Sequence, residues 1–248
     1  MNLSQDTKGR LLAMRRVVLP ALFAALLLCC PVAQAEVTVV GTRAVFPAGA
    51  GEISVTLKNE GQRASLVQAW VSDGGADQPP EASKAPFVVD RPVFRLDPGK
   101  SHSLRVRGIA TGAPVDAQEH LYWLNVVDVP PRDAASADNV IQVAVRFRLK
   151  LLYRPEGVGA PVDPDARVSV RATPAGLEVS NAAQHYFNVG EATLETATGE
   201  HALDSFYVAP GETKQLAFPA GFSGPVTAIR YSWVDDDGAL HAERRELR

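Results

Sequence analysis

Apolar and polar residues alternate along most of this chain with the period of two that is typical of β-strands. The alternating runs are rich in β-branched and aromatic residues, and Gly, Pro, Asn and Asp separate them. No long stretch has the 3.6-residue period and the caps of an α-helix. The first half of the chain predicts strands at Val37–Phe46, Glu52–Lys58, Ser65–Val71, Pro92–Leu96, Ser101–Arg107, Glu119–Val129 and Gln142–Pro155. Short strands with turn signals between them predict an immunoglobulin-like sandwich.

A second β-domain follows a segment with the composition of a linker. The alternation breaks at Tyr153–Gly157, and Gly159, Pro161 and Pro164 follow. Strands then resume at Arg167–Arg171, Leu177–Ser180, Tyr186–Val189, Lys214–Phe218, Val226–Val234 and Leu240–Leu247. The sequence therefore predicts an all-β protein with one domain over 36–155 and a smaller domain over 156–248.

The first 35 residues have the features of a cleavable signal peptide. Their apolar run, Val17–Cys30, has 14 residues and is shorter than the ~20 that a membrane span needs. The small-x-small pattern Ala33-Gln34-Ala35 follows, so we expect export and cleavage after Ala35. Met14 begins a compact version of the same peptide and is an alternative start. The basic residues before the run are Lys8, Arg10, Arg15 and Arg16.

Removal of this peptide changes the composition. Both Cys and both Met lie within residues 1–35, so the remaining 213 residues contain no sulfur. This excludes a disulfide scaffold, a thiolate metal site and a cysteine nucleophile in the mature chain. The peptide also carries four Lys or Arg and one Asp, so its loss changes the formal net charge from −3 to −6. A mildly acidic exported protein is not expected to bind nucleic acid.

No arrangement of residues predicts catalysis. The five histidines are scattered, without partners at metal-ligand spacing, and the motifs of a P-loop, a dinucleotide fold or a serine elbow are missing. The acidic run Asp235–Asp237 lacks the spacing of a calcium loop and predicts a solvated hairpin turn. Trp70, Trp123 and Trp233 lie in apolar strands and are predicted core residues. The sequence favours a binding protein without a metal or cofactor over an enzyme.

The strand from Gln142 to Pro155 is unusual because it combines an apolar row with several cations. Its odd positions from Val143 to Tyr153 are all apolar. The periodicity alone favours a row that faces the core of its own domain. The alternative is a strand at a sheet edge, whose free backbone groups pair with a strand of another chain. The even positions include Arg146, Arg148, Lys150 and Arg154.

Three motifs stand in a fixed order along the chain: TRAVFP at Thr42–Pro47, EHLYWLNVVDVPPR at Glu119–Arg132 and IQVAVRFRLKLLYRP at Ile141–Pro155. Together they resemble the PapD-like family of periplasmic pilus chaperones of the chaperone–usher pathway. The resemblance implies two immunoglobulin-like sandwiches in a boomerang arrangement. It also implies a protein that binds pilus subunits and passes them to an outer-membrane usher, with no cofactor and no stable membrane insertion.

The same resemblance implies three groups of site residues. A carboxylate in a cleft accepts a forked pair of bonds from Arg and a point charge from Lys, and the C-terminal carboxylate of a subunit would bind Arg43 and Lys150. The strand lent to an incomplete subunit would present Ile141, Val143 and Val145. An ion network that holds the two domains at a fixed angle would contain Glu119, Arg154 and Asp236, with Asp235 or Asp237 as alternatives to Asp236.

Several points stay open at the level of sequence. Strict alternation places Lys150 on the opposite face from Val145, so either twist or a bulge turns it into the cleft or the two features serve different surfaces. Arg146 and Arg148 have no assigned role, and we expect them to be solvated edge charges. Arg91-Pro92 replaces the family's usual Pro-Pro, so the local turn is expected to differ. The alternative function is a secreted immunoglobulin-like structural or adhesin module of a surface fibre.

Overall fold

The computed structural model describes residues 37–131, 143–197, 199–219, 221–222 and 224–247, which belong to one compact unit. These ranges form strands, turns and three short 3-10 segments. The prediction of an all-β fold with two β-domains is confirmed. Within the same ranges, no helical segment has the length or the apolar character of a membrane span. The predicted signal peptide and Ile141 lie outside the described residues.

The first sandwich has two sheets with one core between them. Its strands are β1 (Val37–Val39), β2 (Arg43–Pro47), β3 (Glu52–Asn59), β4 (Ser65–Ser72), β5 (Phe87–Val89), β6 (Val93–Leu96), β7 (Ser101–Gly108), β8 (His120–Val129) and β9 (Val145–Arg154). One sheet has the order β1-β3-β7-β5 and the other β2-β9-β8-β4-β6. Alternate residues of each sheet fill the core, and Phe46, Leu57, Leu104 and Leu124 are almost fully buried there.

The predicted strand Val37–Phe46 is divided into β1 and β2, which belong to different sheets. β1 pairs antiparallel with β3, whereas β2 runs parallel to β9. Gly41 lies between them with a φ of 94°, a conformation that glycine adopts without the steric cost of a Cβ atom. Both halves bury alternate residues against the same core, Val37 and Val39 in β1 and Ala44 and Phe46 in β2. The alternation therefore shifts by one residue at the change of sheet.

The second sandwich has its own core. Its strands are β10 (Val168–Thr173), β11 (Gly176–Asn181), β12 (Phe187–Thr196), β13 (Gly199–Leu203), β14 (Phe206–Val208), β15 (Thr213–Ala217), β16 (Val226–Val234) and β17 (Leu240–Glu246). One sheet has the order β10-β11-β15 and the other β13-β12-β16-β17, with β14 also paired to β12. The strands β13 and β14 are absent from the sequence prediction because their short segments alternate only weakly. Leu177, Leu194, Val208 and Ile229 are almost fully buried between the sheets.

Candidate binding site where the two sandwiches meet

Two cations lie side by side on the five-stranded sheet of the first sandwich. In the parallel pair of β2 and β9, Arg43 is in register with Lys150. Side chains in register on neighbouring strands point to the same face of a sheet. This face is the outer one, because Ala44, Leu149 and Leu151, which flank the two cations along their strands, point into the core.

Both cations contact the second sandwich. Arg43 Nη1 donates a hydrogen bond to the carbonyl oxygen of Val234 in β16 at 3.0 Å. Lys150 Nζ donates to Oδ1 of Asn188 in β12 at 2.5 Å. The same ammonium lies 4.6 Å from the ring centroid of Tyr207 in β14, which is within the range of a cation–π interaction. The first sandwich therefore supplies the two cations, and the second supplies groups that hold them.

The positive charge of the pair is poorly compensated by the protein. Burial, together with the charges of Arg43 and Lys214, lowers the pKa of Lys150 to about 8. Burial also lowers the pKa of Arg43, although nearby carboxylates, foremost Asp236, partly oppose this effect. Among the described residues, no carboxylate forms an ion pair with Arg43 or Lys150. Two desolvated cations in this arrangement favour an anionic ligand.

The first half of β9 has a free edge. β2 pairs only with Lys150–Arg154, whereas β8 pairs with the other side of β9 from Val145 to Tyr153. On the β2 side, Val145–Leu149 has no neighbouring strand within the described part of the chain. Such an edge can accept a further strand by β-augmentation. Val143 lies just before β9 and is 64% exposed.

The apolar row and the cation pair lie on opposite faces of β9. The pairing of β8 with β9 runs without a register shift from Asp128 opposite Val145 to His120 opposite Tyr153. No bulge therefore turns Lys150 towards the side of Val145. The sequence left open whether the apolar row and Lys150 share one surface. In the structure they lie on opposite faces of the sheet, on either side of the free edge.

The structure also brings Glu119, Arg154 and Asp236 together. Arg154 Nε donates to Glu119 Oε1 at 2.7 Å, and its two terminal nitrogens donate to the Asp236 carboxylate at 2.8 and 2.6 Å. Glu119 Oε2 accepts a hydrogen bond from the Tyr186 backbone N–H at 2.8 Å. Burial alone would lower the pKa of Arg154, but the bonds and charges of both carboxylates outweigh it and raise the pKa. Asp235, one of the sequence alternatives, bonds instead to His241 within its own hairpin.

Two family models match the chain in the order of its two sandwiches. One, described as "Pili and flagellar-assembly chaperone, PapD N-terminal domain", matches residues 36–159. The other, described as "Pili assembly chaperone PapD, C-terminal domain", matches residues 165–245. The chain belongs to the PapD-like family of pilus-assembly chaperones.

Relatives of this PapD-like chain cover most of its length. The chaperone protein FimB/FhaD of Bordetella pertussis is 34% identical over 233 residues, which are 91% of this chain and 94% of that protein. MrkB of Klebsiella pneumoniae is 31% identical over 82% of this chain and 88% of its own. Among solved structures, the Pseudomonas aeruginosa CupB2 chaperone is 28% identical with a TM-score of 0.72, covering 85% of this chain and 100% of its own. The Salmonella enterica SafB chaperone, solved in complex with the SafA pilin, is 27% identical with a TM-score of 0.72, covering 88% and 99%.

The outer face of the five-stranded sheet corrects two expectations for this PapD-like chain. Trp70 and Trp123 are not in the core of the first sandwich but on this outer face, whereas Trp233 packs against the second core. Arg146 and Arg148 are not simply solvated edge charges. Their guanidinium carbons lie 4.8 and 3.9 Å from the ring centroids of Trp70 and Trp123, respectively. An indole covered by a guanidinium is stabilised at the surface and needs no place in a core.

Sequence reasoning missed the residues of the second sandwich that support the cation pair. Asn188 and Tyr207 contact Lys150, and Lys214 also lies 4.6 Å from the Tyr207 centroid. Lys214 is held there by a hydrogen bond to the Tyr207 carbonyl oxygen at 2.9 Å. No signal in the sequence points to them, because these residues belong to no motif. They come close to β9 only through the packing of the two sandwiches.

Proposed function

We propose that this protein is a periplasmic chaperone that binds pilus subunits by lending them β9 as a missing strand. The subunit's C-terminal carboxylate binds between Arg43 and Lys150, and the complex delivers the subunit to an outer-membrane usher. The observation that carries the proposal is the poorly compensated pair of Arg43 and Lys150, which lies where the free edge of β9 meets the start of β2. The family to which the chain belongs supports the same role, and the similar SafB chaperone was solved in complex with the SafA pilin.

The pair suits a carboxylate for three reasons. Arg supplies a planar fork, Lys supplies a compact charge, and partial burial strengthens both interactions relative to water. A bound carboxylate would stabilise the protonated form of Lys150, whose pKa is lowered to about 8 in the free protein. Loss of one partner from a desolvated charge pair typically costs ~2–5 kcal/mol of binding free energy.

The position of the pair also fixes the direction of the bound strand. Arg43 begins β2, and the free edge of β9 extends from Leu149 back to Val145. A strand whose carboxyl end lies at Lys150 and which follows this edge must run parallel to β9, in line with β2. The part of the bound strand that lies beside Val145–Lys150 then spans about 16 Å, since a strand rises ~3.3 Å per residue. Anchoring its end sets which of its side chains meet the apolar row.

The remaining parts of the proposal rest on other features. The first 35 residues export the chain and are removed after Ala35. The domains are 36–155 and 156–248, and the buried bonds of Arg154 to Glu119 and Asp236 hold them at a fixed angle. The row of Ile141, Val143 and Val145 enters the groove of the subunit. A protein that works by lending a strand needs neither a nucleotide nor a catalytic group.

The proposal is tested by replacing each cation and measuring what remains bound. We expect Arg43→Ala and Lys150→Ala to leave a folded protein that no longer retains pilus subunits during purification from the periplasm of its source cells. Lys100→Ala, an exposed turn residue of the first sandwich, is the matched control. Undiminished co-purification of subunits with both variants would show that the carboxylate anchor is wrong.

A further inference from the structure

A row of stacked cations lies on the outer face of β9, next to its free edge. The Arg148 guanidinium carbon is 3.9 Å from the Trp123 ring centroid, and that of Arg146 is 4.8 Å from the Trp70 centroid. The two tryptophans belong to β8 and β4, the next strands of the sheet. Each arginine therefore fastens β9 to strands further into the sheet by a contact that does not use the backbone ladder.

The same arginines also hold the loop that follows β4. Arg148 Nη2 donates to the carbonyl oxygen of Gly74 at 2.5 Å, and Arg146 Nη1 donates to that of Ala76 at 2.6 Å. The loop is ordered in turn by Gln78, which accepts from the Gly74 N–H at 2.7 Å and donates to Asp73 at 2.8 Å. Each guanidinium is thus fixed by its stacking partner and by a carbonyl oxygen of this loop.

Arg146 has a further, buried partner. Its Nε and Nη2 both donate to Oδ1 of Asn125, at 3.2 and 2.7 Å. Asn125 is fully buried in β8, where its amide nitrogen donates to Ser72 Oγ at 2.9 Å and to the Trp123 carbonyl oxygen at 3.0 Å. A buried amide with both ends bonded has a defined orientation, so it fixes the place of the guanidinium in front of it.

These contacts coincide with the part of β9 that lacks a second neighbour. Within the residues that the structure describes, Val145–Leu149 pairs only with β8, and a strand paired on one side opens more readily than one paired on both. A strand that must accept a partner along its edge binds more tightly when it is already extended in the bound conformation, because less entropy is lost on binding. The arginine contacts supply order without covering the edge itself.

We propose that Arg146 and Arg148 are positioning residues that keep the free edge of β9 extended and in register for an incoming strand. They act through Trp70, Trp123 and Asn125 and do not themselves contact the bound strand. This inference rests on the proposed function for its purpose, but its structural part concerns the free protein alone. The positioning role gives a reason for two arginines at successive outward-facing positions of β9, the strand that we propose is lent.

Amide hydrogen exchange of the free protein tests the inference directly. In Arg148→Gln and Arg146→Gln, loss of a stacked cation and a charge-assisted bond should accelerate exchange of those Val145–Leu149 amides that donate to β8 by about tenfold or more. Exchange in the core strands β3 and β7 should stay unchanged. Arg107→Gln, an exposed strand arginine of the other sheet, is the matched control. Unchanged exchange in β9, or equal acceleration throughout the sandwich, would overturn the inference.

A kinetic measurement separates this role from the anchor. The probe is a labelled 12-residue peptide of alternating valine and threonine, with either a free or an amidated C-terminus, and the readout is fluorescence anisotropy after mixing. In Arg148→Gln we expect slower association, with the preference for the free carboxylate over the amide retained. Arg148→Lys, which keeps a cation over Trp123, should partly restore the association rate. An association rate equal to that of the unaltered chain would contradict the positioning role.

The two proposals fail in distinguishable ways. If the unaltered chain binds the amidated peptide as well as the free acid, the carboxylate anchor is wrong, while the exchange measurement still decides the role of the arginines. If exchange in β9 is unaffected by both substitutions, the positioning role is wrong, while the anchor can still be tested at Arg43 and Lys150.

Discussion

Replacing Lys150 by methionine should make the free protein more stable while abolishing the carboxylate binding that we propose. The ammonium is partly buried between Arg43 and Lys214, and its pKa is lowered from 10.5 to about 8. A shift of one pKa unit corresponds to ~1.4 kcal/mol, so the charged form destabilises the folded state by at most about 3 kcal/mol at neutral pH. Met has a similar length and no charge. It loses the bond to Asn188 and the contact with Tyr207, which offsets part of the gain, and we expect a net stabilisation of about 1–2 kcal/mol.

The dependence of this effect on pH follows from the direction of the shift. Below about pH 8 Lys150 is protonated in both the folded and the unfolded chain, so the full destabilisation is present. Between about 8 and 10.5 the unfolded chain binds the proton and the folded chain does not, so stability rises with pH. The advantage of Lys150→Met over the unaltered chain should therefore be largest at or below pH 7 and should shrink as the pH approaches 10.

Urea unfolding followed by tryptophan fluorescence at pH 6, 7, 8.5 and 9.5 measures the difference. Lys100→Met, which removes an exposed lysine of the same sandwich, controls for loss of charge in general. A Lys150→Met protein that is less stable than the unaltered chain by the same amount at every pH would refute the reasoning. That result would mean that the bonds of the ammonium outweigh its desolvation.

Two further predictions concern the contacts between the sandwiches. Glu119→Ala leaves the buried Arg154 with one of its two carboxylate partners and should lower the free energy of unfolding by about 3–5 kcal/mol. Asp236→Asn should lower it less, because the Asp236 side chain is 32% exposed. Chemical denaturation compares the two variants, and equal losses would contradict the difference in burial. Gly238→Ala should destabilise the chain and loosen the hairpin that carries Asp236, because Gly238 has a φ of 86° and a Cβ there would lie 2.7 Å from Thr42 Oγ1; an unchanged melting temperature would show that the hairpin adapts.

The faces of β9 could be predicted from its alternation, because a period of two determines which residues share a face. It assigned Leu149 and Leu151 to one side and Lys150 to the other, as the structure has them. It could not show that β9 is covered by β2 along only half of its length. That depends on where β1 ends and β2 begins, and on the pairing of β2 with β9, which the pattern of a single segment does not specify.

The expectations for the outer face failed for a different reason. Pattern reasoning treats an indole in an apolar strand as a core residue and a cation on the opposite face as solvated. Both expectations are wrong for the same reason, because Arg146 and Arg148 stack on Trp70 and Trp123 at the surface. The paired residues lie on different strands, so the pattern within any one strand does not contain the contact. The same limit applies to Asn188, which meets Lys150 across 38 residues.

The features that we assign to binding are the ones that the free protein does not stabilise. Within the described part of the chain, Arg43 and Lys150 lie in register without a carboxylate in an ion pair, and Val145–Leu149 keeps one edge unpaired. Each feature carries a cost that a single ligand removes, because a strand with a free carboxyl end supplies both the missing charge and the missing backbone partner. Above about pH 8, where Lys150 is neutral in the free protein, carboxylate binding must be accompanied by proton uptake and should weaken with rising pH. The desolvation that lowers this pKa therefore also sets the pH range in which the anchor discriminates a free chain end from an amide.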